Sequence, residues 1–496
     1  PQAELCVVGD ADQSIYAFRG ANIRNILQFE ADFTDAKTIL LEQNYRSTQN
    51  ILSAANAVIS NNENRKAKNL WSDSGQGDLL IGYVAEDEHD EADYVISKIK
   101  ELRDEEISKP GETAIFYRTN AQSRVFEESF LRSSIPYKVV GGVRFYERKE
   151  VKDFLAYLRV LVNPDDEVSL RRIINTPKRG IGDRAIESID LFARNEGLSF
   201  WRALNQVNQI NTVPARSAQA INGFIDLIKN LTTLVEANVL PSVIAQAVLE
   251  QSGLLAELEK SDDLQDEGRV ENLQELVSVA VEYEEGEAEE GEKISLQGFL
   301  EDVSLVADSD QIPEGEDHGG VVTLMTLHTA KGLEFPTVFL TGLEEGIFPH
   351  NRTLGDKNEL EEERRLAYVG LTRAQHRLYL SRAQSRTSWG APTYNPESRF
   401  LGEIPNELIE WNEHAPAPTR SSILNASAFR PTPRATGKKV STTMVLSSGD
   451  RVSHDTFGLG TVVSVSGEGD RAEATINFGS AGEKRLLLRY APVEKL

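Results

Sequence analysis

His328, Thr329, Lys331 and Gly332 interrupt two apolar, β-branched runs, VVTLMTL and FPTVFLTGL, between Val321 and Leu343. The pattern predicts strand, polar loop, strand, with the loop free to present donors to a ligand. From Glu361 the period changes in EEERRLAYVGLTRA. Leu366, Val369 and Gly370 share one face of a helix, while Glu361 and Arg365 stand four apart, the spacing of a solvent-side ion pair. Arg373 falls at the far end of that helix, placed here at the edge where an α/β sheet presents its ligand crevice. Each fragment alone also fits a plain structural role: a lysine-glycine turn, a salt-bridged helix, a surface arginine.

The order of the fragments narrows the choice. VVGDADQSIYAFRGA near the start, LLEQNYRS at Leu40 to Ser47, TLHTAKGLEF and YVGLTRA resemble, in sequence, the motifs of the UvrD/Rep/PcrA family of superfamily 1 DNA helicases, most closely its PcrA branch. The resemblance covers nearly the whole chain. It implies an ATP- and magnesium-dependent helicase that moves 3′ to 5′ on single-stranded DNA, unwinds duplex DNA and serves repair or replication. The fold it implies is α/β, with RecA-like P-loop NTPase lobes, the first only partly present, a helical inserted domain and a small C-terminal Tudor/SH3-like β-barrel.

Carried over by motif, Arg46 and Arg373 match the family's two γ-phosphate arginines and Gln13 the glutamine that senses the γ-phosphate and orients water. Tyr45 matches the aromatic that stacks on adenine, and Glu334 the carboxylate that meets the ribose. Such a set suits phosphoryl transfer, which depends on positioning and positive charge more than on covalent help. Tyr16 and Phe18 beside Arg19 form a stacking-plus-phosphate arrangement for single strand; family members often carry Trp at the position of Phe18. Arg118 and Asn120 in FYRTNAQSR, with His328 and Thr329, match positions that track the strand. In NTPKRGIGDRAIES, Lys178 and Arg179 precede two glycines and a helix that Asp183 is placed to cap. Glycines let backbone N–H groups approach a phosphate there, and the resemblance implies a duplex contact; a helix-helix turn fits the same residues.

The elements that must hold these residues follow from pattern. The 496 residues suggest three or four domains, and a 40% hydrophobic fraction suffices for their cores. The single cysteine, Cys6, excludes a disulfide framework and a thiolate metal site. No apolar run reaches transmembrane length and no signal segment opens the chain, which points to no membrane partner and a cytoplasmic setting. The formal charge of −25 argues at face value against nucleic acid. Residues 251–320, however, hold 22 acidic against 3 basic side chains, a solvated block that leaves the rest near neutral.

Residues 1–45 read as the C-terminal end of a first lobe, with strands at ELCVVGD and AKTILLEQNYR. Residues 46–141 begin a second lobe: Ser47 is expected to cap a helix bearing Ile51, Leu52, Ala55, Val58 and Ile59, and strands are expected at LLIGYVA and ETAIFYRTN around a helix bearing Ala92, Val95, Ile96 and Ile99. Residues 142–308 read as the helical insertion, its first stripe Val151, Phe154, Leu155, Leu158, Leu161 and Val162 stopped by Asn163-Pro164. Residues 309–411 return to the second lobe. Residues 412–445, rich in Pro, Ser and Thr, read as a disordered linker, and 446–496 as the barrel, which in the family contacts RNA polymerase.

No GxxxxGK[ST] loop occurs; ATGKK at Ala435 lacks the first glycine and the hydroxyl residue. The family's acidic strand-end motif for magnesium is absent too. With Pro1 in first place, the expectation is a later part of a longer protein, inactive alone. The alternative is a non-catalytic adaptor that binds DNA and RNA polymerase while retaining helicase motifs.

Overall fold

A run such as TAIFY is apolar on both faces and suits a strand covered on both sides. In the computed structural model that strand, β2 (Thr113–Tyr117), is buried along its whole length. The structure describes residues 5–17, 20, 23–63, 65–261, 263–291, 293–308, 319–412, 446–467, 472–491 and 493–496. The chain divides into two compact units, Pro1–Phe145 with Asp308–Pro416, and Tyr146–Ala307 with Ala417–Leu496.

The first unit is built on a parallel sheet. Its strands are β1 (Leu80–Ala85), β2, β3 (Tyr137–Val139), β4 (Val322–Thr326), β5 (Phe335–Leu340), β6 (Ala374–Ala383) and, after a β7 (Arg386–Ser388) and β8 (Ala391–Thr393) hairpin, β9 (Ile409–Asn412). Their spatial order is β3-β4-β2-β5-β6-β1-β9. Helix Gln49–Ile59 packs Ile51, Ala54, Ala55, Val58 and Ile59 on one side of the sheet with helix Lys357–Leu371. Helices Glu88–Asp104 and Ser123–Arg132 cover the other side, through Val95, Ile96, Val125 and Phe126 among others.

Two details differ from the sequence expectation. Helix Gln49–Ile59 takes Thr48 as its N-cap, because the Ser47 hydroxyl donates instead to Ala374 O at 2.6 Å. Neither strand expected before Tyr45 forms. Leu5, Val7, Val8, Ile39 and Leu41 are exposed, and Gln43 makes only an isolated bridge to Trp71. An apolar β-branched run becomes a strand where another backbone lies alongside, and the described residues offer that run no more than Trp71.

The second unit is helical over Lys149–Val162, Asp183–Glu196, Ala215–Glu236, Pro241–Ser252, Leu264–Glu290 and Leu296–Asp308, with shorter helices between. It also holds an antiparallel sheet of β10 (Arg451–His454), β11 (Gly458–Ser466), β12 (Glu473–Asn477), β13 (Glu483–Leu487) and β14 (Val493–Lys495), in the order β13-β12-β11-β10-β14. Val452, Val462, Ala474, Ile476, Phe478 and Leu486 form its small core. The sheet rests on the end of helix Ala215–Glu236: Asn230 Nδ2 donates to Glu473 Oε1 at 3.1 Å, Thr456 Oγ1 to Ala237 O at 2.9 Å, and Lys484 pairs with Glu236 at 2.5 Å. The segment read as a linker, from 413 to 445, lies outside the described residues. Among the described residues, no helix is long and apolar enough to cross a membrane.

Candidate functional site

Parallel strands put all their amino ends on one edge of the sheet, and this decides which side chains can meet. Helix Lys357–Leu371, N-capped by Asp356, delivers Arg373 immediately before β6. Arg373 therefore stands at the amino edge of the sheet, not at the carboxyl-end crevice expected from the sequence. Glu334 precedes β5 on the same edge, and Phe335 N donates to Arg373 O at 3.0 Å.

Arg46 completes this group. Asn44 Oδ1 accepts from Arg46 N at 2.8 Å and from Ser47 N at 2.9 Å, a side-chain turn that fixes the backbone there. Arg46 Nε donates to Glu334 Oε2 at 2.5 Å and Nη1 to Thr372 O at 3.2 Å. The Arg46 hydrogen bond holds the Glu334 carboxyl below the usual carboxylate range. Arg373 is only 2% exposed. Its guanidinium donates to Val369 O at 3.0 Å, Leu333 O at 3.2 Å and Thr372 Oγ1 at 3.1 Å. All three acceptors are neutral. Burial first, and the nearby Arg46 second, push the Arg373 guanidinium down to about 10. Tyr45, next to Arg46, is 82% exposed, its hydroxyl donating to Gln43 Oε1 at 3.0 Å.

Gln13 ends a short turn, Ala11–Gln13, capped by Asp10, whose carboxylate accepts from Asp12 N at 3.0 Å. Gln13 Nε2 donates to Asp10 Oδ2 at 2.7 Å. Asp10 is close enough to Arg373 to act on its charge. The two carboxylates of this turn have cationic partners already: Lys68 pairs with Asp10, and Arg65 grips Asp12 at 3.2 and 2.9 Å. A divalent cation needs carboxylates that are not already neutralised, so these acids do not fit magnesium. The arginines, the exposed ring and the carboxyl at the amino edge do fit a nucleotide.

The residues expected to touch single strand start on the opposite edge. Arg118 and Asn120 follow the carboxyl end of β2; His328 and Thr329 follow that of β4. Residues 327–334 then carry the chain from this edge to Glu334 at the other. The Gln13 turn runs alongside: Lys331 Nζ donates to Gln13 O at 2.9 Å and lies 5.2 Å from the Tyr16 ring, and Tyr16 OH donates to His328 O at 3.0 Å. Behind it, Arg365 Nε donates to Ser14 O at 2.9 Å and Ala17 N to a Glu362 carboxylate oxygen at 2.9 Å. Lys331 thus touches both the glutamine backbone and the tyrosine ring, a double contact that its place in a lysine-glycine turn did not announce.

Several side chains have inward tasks. Arg118 makes a bidentate pair with Glu363, at 2.9 to 3.1 Å. Thr329 Oγ1 lies 3.0 Å from Thr326 Oγ1. Arg179 donates to Ile173 O, Pro177 O, Tyr157 OH and Ser252 O, whereas Lys178 is exposed. Gly182, not Asp183, is the N-cap of the following helix, with Asp183 in its first turn. Glu361 and Arg365, expected on the solvent side, are both buried and 3.9 Å apart. The Glu361 carboxylate accepts from Glu63 N, and Arg365 reaches Ser14, so that face is covered by other segments of the chain. Phe18 and Arg19 lie outside the described residues.

The sequence itself matches three known domains. Residues 39–385 match the UvrD-like helicase C-terminal domain, residues 448–495 the PcrA/UvrD tudor domain, and residues 1–34 the UvrD/REP helicase N-terminal domain. ATP-dependent DNA helicase UvrD1 of Mycobacterium tuberculosis is 55% identical across 100% of this chain, which corresponds to 66% of that protein. ATP-dependent DNA helicase UvrD1 of Mycobacterium leprae is 52% identical, again over 100% and 66%. ATP-dependent DNA helicase PcrA of Bacillus subtilis is 46% identical over 99% of this chain and 67% of its own length. The chain therefore spans about two thirds of the length of these relatives.

Proposed function

This chain belongs to the UvrD/Rep/PcrA helicase family, and on that premise we propose that it supplies the arginine-bearing side of an ATP-driven DNA helicase moving 3′ to 5′ on single strand, in repair or replication. The observation that carries the proposal is Arg373: a guanidinium 2% exposed, bonded to neutral oxygens and pushed down to about 10. A buried cation of this kind beside a second arginine is costly by itself and gains most when a polyanion enters. The β- and γ-phosphates of ATP are such a polyanion, and charge developing on the γ-phosphate strengthens the gain. A non-catalytic adaptor has no use for that arrangement.

In this reading Arg46 shares the γ-phosphate, Gln13 meets it and its attacking water, Tyr45 stacks on adenine and Glu334 exchanges Arg46 for ribose. Tyr16, Phe18 and Arg19 grip the single strand, with Arg118, Asn120, His328 and Thr329 beside it. Lys178, with the glycine turn behind it, takes the duplex backbone; Arg179 shapes that turn from within. The shared partner Lys331 gives movement at Gln13 a direct route to Tyr16. Magnesium, which neutralises phosphate charge when bound, is held by residues other than Asp10 and Asp12. The β10 to β14 barrel binds a protein partner, RNA polymerase being the one the resemblance favours.

The test uses the full-length protein, this chain with whatever precedes it in its gene. Arg373→Ala is expected to lower DNA-stimulated ATP turnover by about 10³-fold or more while single-strand affinity stays within about threefold, since the side chain faces the nucleotide edge. Near-normal turnover would remove Arg373 from the site. Unwinding of duplexes with a 5′ tail instead of a 3′ tail would overturn the polarity.

A further inference from the structure

Lys68 belongs to none of the motifs and sits in the loop after helix Gln49–Ile59, yet it reaches the turn that presents Gln13. Its ammonium pairs with Asp10 Oδ1 and lies 3.6 Å from Asp12 Oδ2. It rests 5.6 Å from the ring of Tyr368, a side chain only 1% exposed on the helix that leads to Arg373. Asp10 in turn caps the turn through its Oδ1 and accepts the Gln13 amide through its Oδ2. A carboxylate only accepts, so the Gln13 NH₂ must face it and the Gln13 Oε1 must face away.

We propose that Lys68 is a positioning residue for Gln13, acting through Asp10 to fix which end of the glutamine amide faces the reacting phosphate and its water. An amide oxygen held in this way accepts a proton of an attacking water; the reversed amide repels it. The lysine is needed because Asp10 and Asp12, two residues apart in one short turn, repel each other. Of the two carboxylates Arg65 pairs with Asp12, its Nη2 also donating to Lys68 O at 3.2 Å, so without the lysine Asp10 would be left to swing toward another donor, and Gln13 with it. The Tyr368 ring, 5.6 Å from the ammonium, adds a cation–π attraction that favours the same position. The inference rests on the proposed role of Gln13 but names a different residue for a different task.

The experiment is a double-mutant cycle in the full-length protein with Gln13→Ala, Lys68→Met, Lys68→Arg and the Gln13→Ala/Lys68→Met pair. Lys68→Met is expected to lower kcat for DNA-stimulated ATP hydrolysis by about 10²-fold, the scale of a misplaced group, with KM for ATP and Kd for single strand changed less than about twofold. Lys68→Arg is expected to recover most of the rate. In the Gln13→Ala background, Lys68→Met should cost almost nothing more, because both changes remove one function. Independently of turnover, hydrogen exchange at the Asp12 and Gln13 amides should speed up in Lys68→Met while the β2 and β5 amides stay protected. If Gln13→Ala is slow but Lys68→Met is normal, or if the two losses multiply, the inference fails and the role of Gln13 stands. If Gln13→Ala is itself normal, both fail. A Lys68→Met defect that comes with general loss of protection and no recovery by arginine would make Lys68 a packing residue and also end the proposal.

Discussion

A basic residue in a loop has the same sequence signature whether it faces solvent or a buried acid, and Arg118 shows what this ambiguity hides. Its match to a strand-tracking position drew attention to the DNA, yet its guanidinium holds Glu363, a carboxylate just 5% exposed at its side chain. Burial alone would raise that carboxyl; the Arg118 charge and hydrogen bonds, with His350 N–H, outweigh it and hold it below the ordinary range. Removing one partner of such a pair leaves an uncompensated buried charge. Arg118→Ala is therefore expected to destabilise the first unit by about 3 kcal/mol or more, measured by denaturant unfolding at pH 7.5. The sign with pH is fixed: a carboxyl whose folded pKa is depressed contributes stability above its unfolded value of about 4.3. The wild-type advantage over Arg118→Ala should then shrink as pH falls below that value, and a difference unchanged down to pH 3 would exclude the ion pair as its source. Arg46, Arg373 and Glu334 were legible because they sit in motifs of fixed spacing. Lys68 was not, since no periodicity links it to an aspartate far upstream.

Elements were legible where a single run contains its own reason. TAIFY, VTLMT and FPTVFL became β2, β4 and β5 because both faces are apolar, and the stripe from Val151 to Leu161 became a helix that ends before Asn163-Pro164. Elements that depend on a neighbour were not. Strand β9, with Glu410 in its middle, exists because it can pair with β1, where Gly82 faces Trp411. A Cβ at Gly82 would lie 2.4 Å from that indole, so the glycine matters as the space the tryptophan fills. The barrel was visible as alternating runs, but its two sides were not distinguishable. One side rests on helix Ala215–Glu236, and β11 turns Leu459 and Val463 outward, Leu459 being 62% exposed and Val463 44%. An apolar row on a small barrel marks a protein interface more readily than a nucleic-acid one. On the proposed polymerase contact, Leu459→Lys with Val463→Lys in the full-length protein should abolish co-purification of RNA polymerase while DNA-stimulated ATP turnover is unchanged. Undiminished co-purification would mean that the polymerase reading, or this face, is wrong.

At the scale of the whole molecule, charge and chemistry are separated along the chain. Much of the acidic excess falls on helix Leu264–Glu290, in the second unit, away in sequence from Arg46 and Arg373 of the first. A nucleotide site, however, needs more than arginines. A phosphate loop supplies backbone N–H donors and a lysine to the β- and γ-phosphates, and a strand-end acid helps hold magnesium. The 496 residues contain no GxxxxGK[ST] loop, and Asp10 and Asp12 are already paired with Lys68 and Arg65. In the proposed reading, Arg46, Arg373 and Gln13 act only on a nucleotide that something else already holds. Purified residues 1–496 are therefore expected to show no DNA-stimulated ATP hydrolysis, and at most weak nucleotide binding through Tyr45 and Glu334. Hydrogen exchange provides a second check on the same preparation. Leu5, Val7, Val8, Ile39 and Leu41 lie exposed without strand partners among the described residues, so the amides before Tyr45 should exchange fastest in the first unit, and those of β2 and β5, paired on both sides, slowest. Steady ATP turnover by a homogeneous sample would mean that the phosphates are held by residues not recognised in this site, and slow exchange at Val7 and Val8 would mean that the first segment finds a strand partner after all.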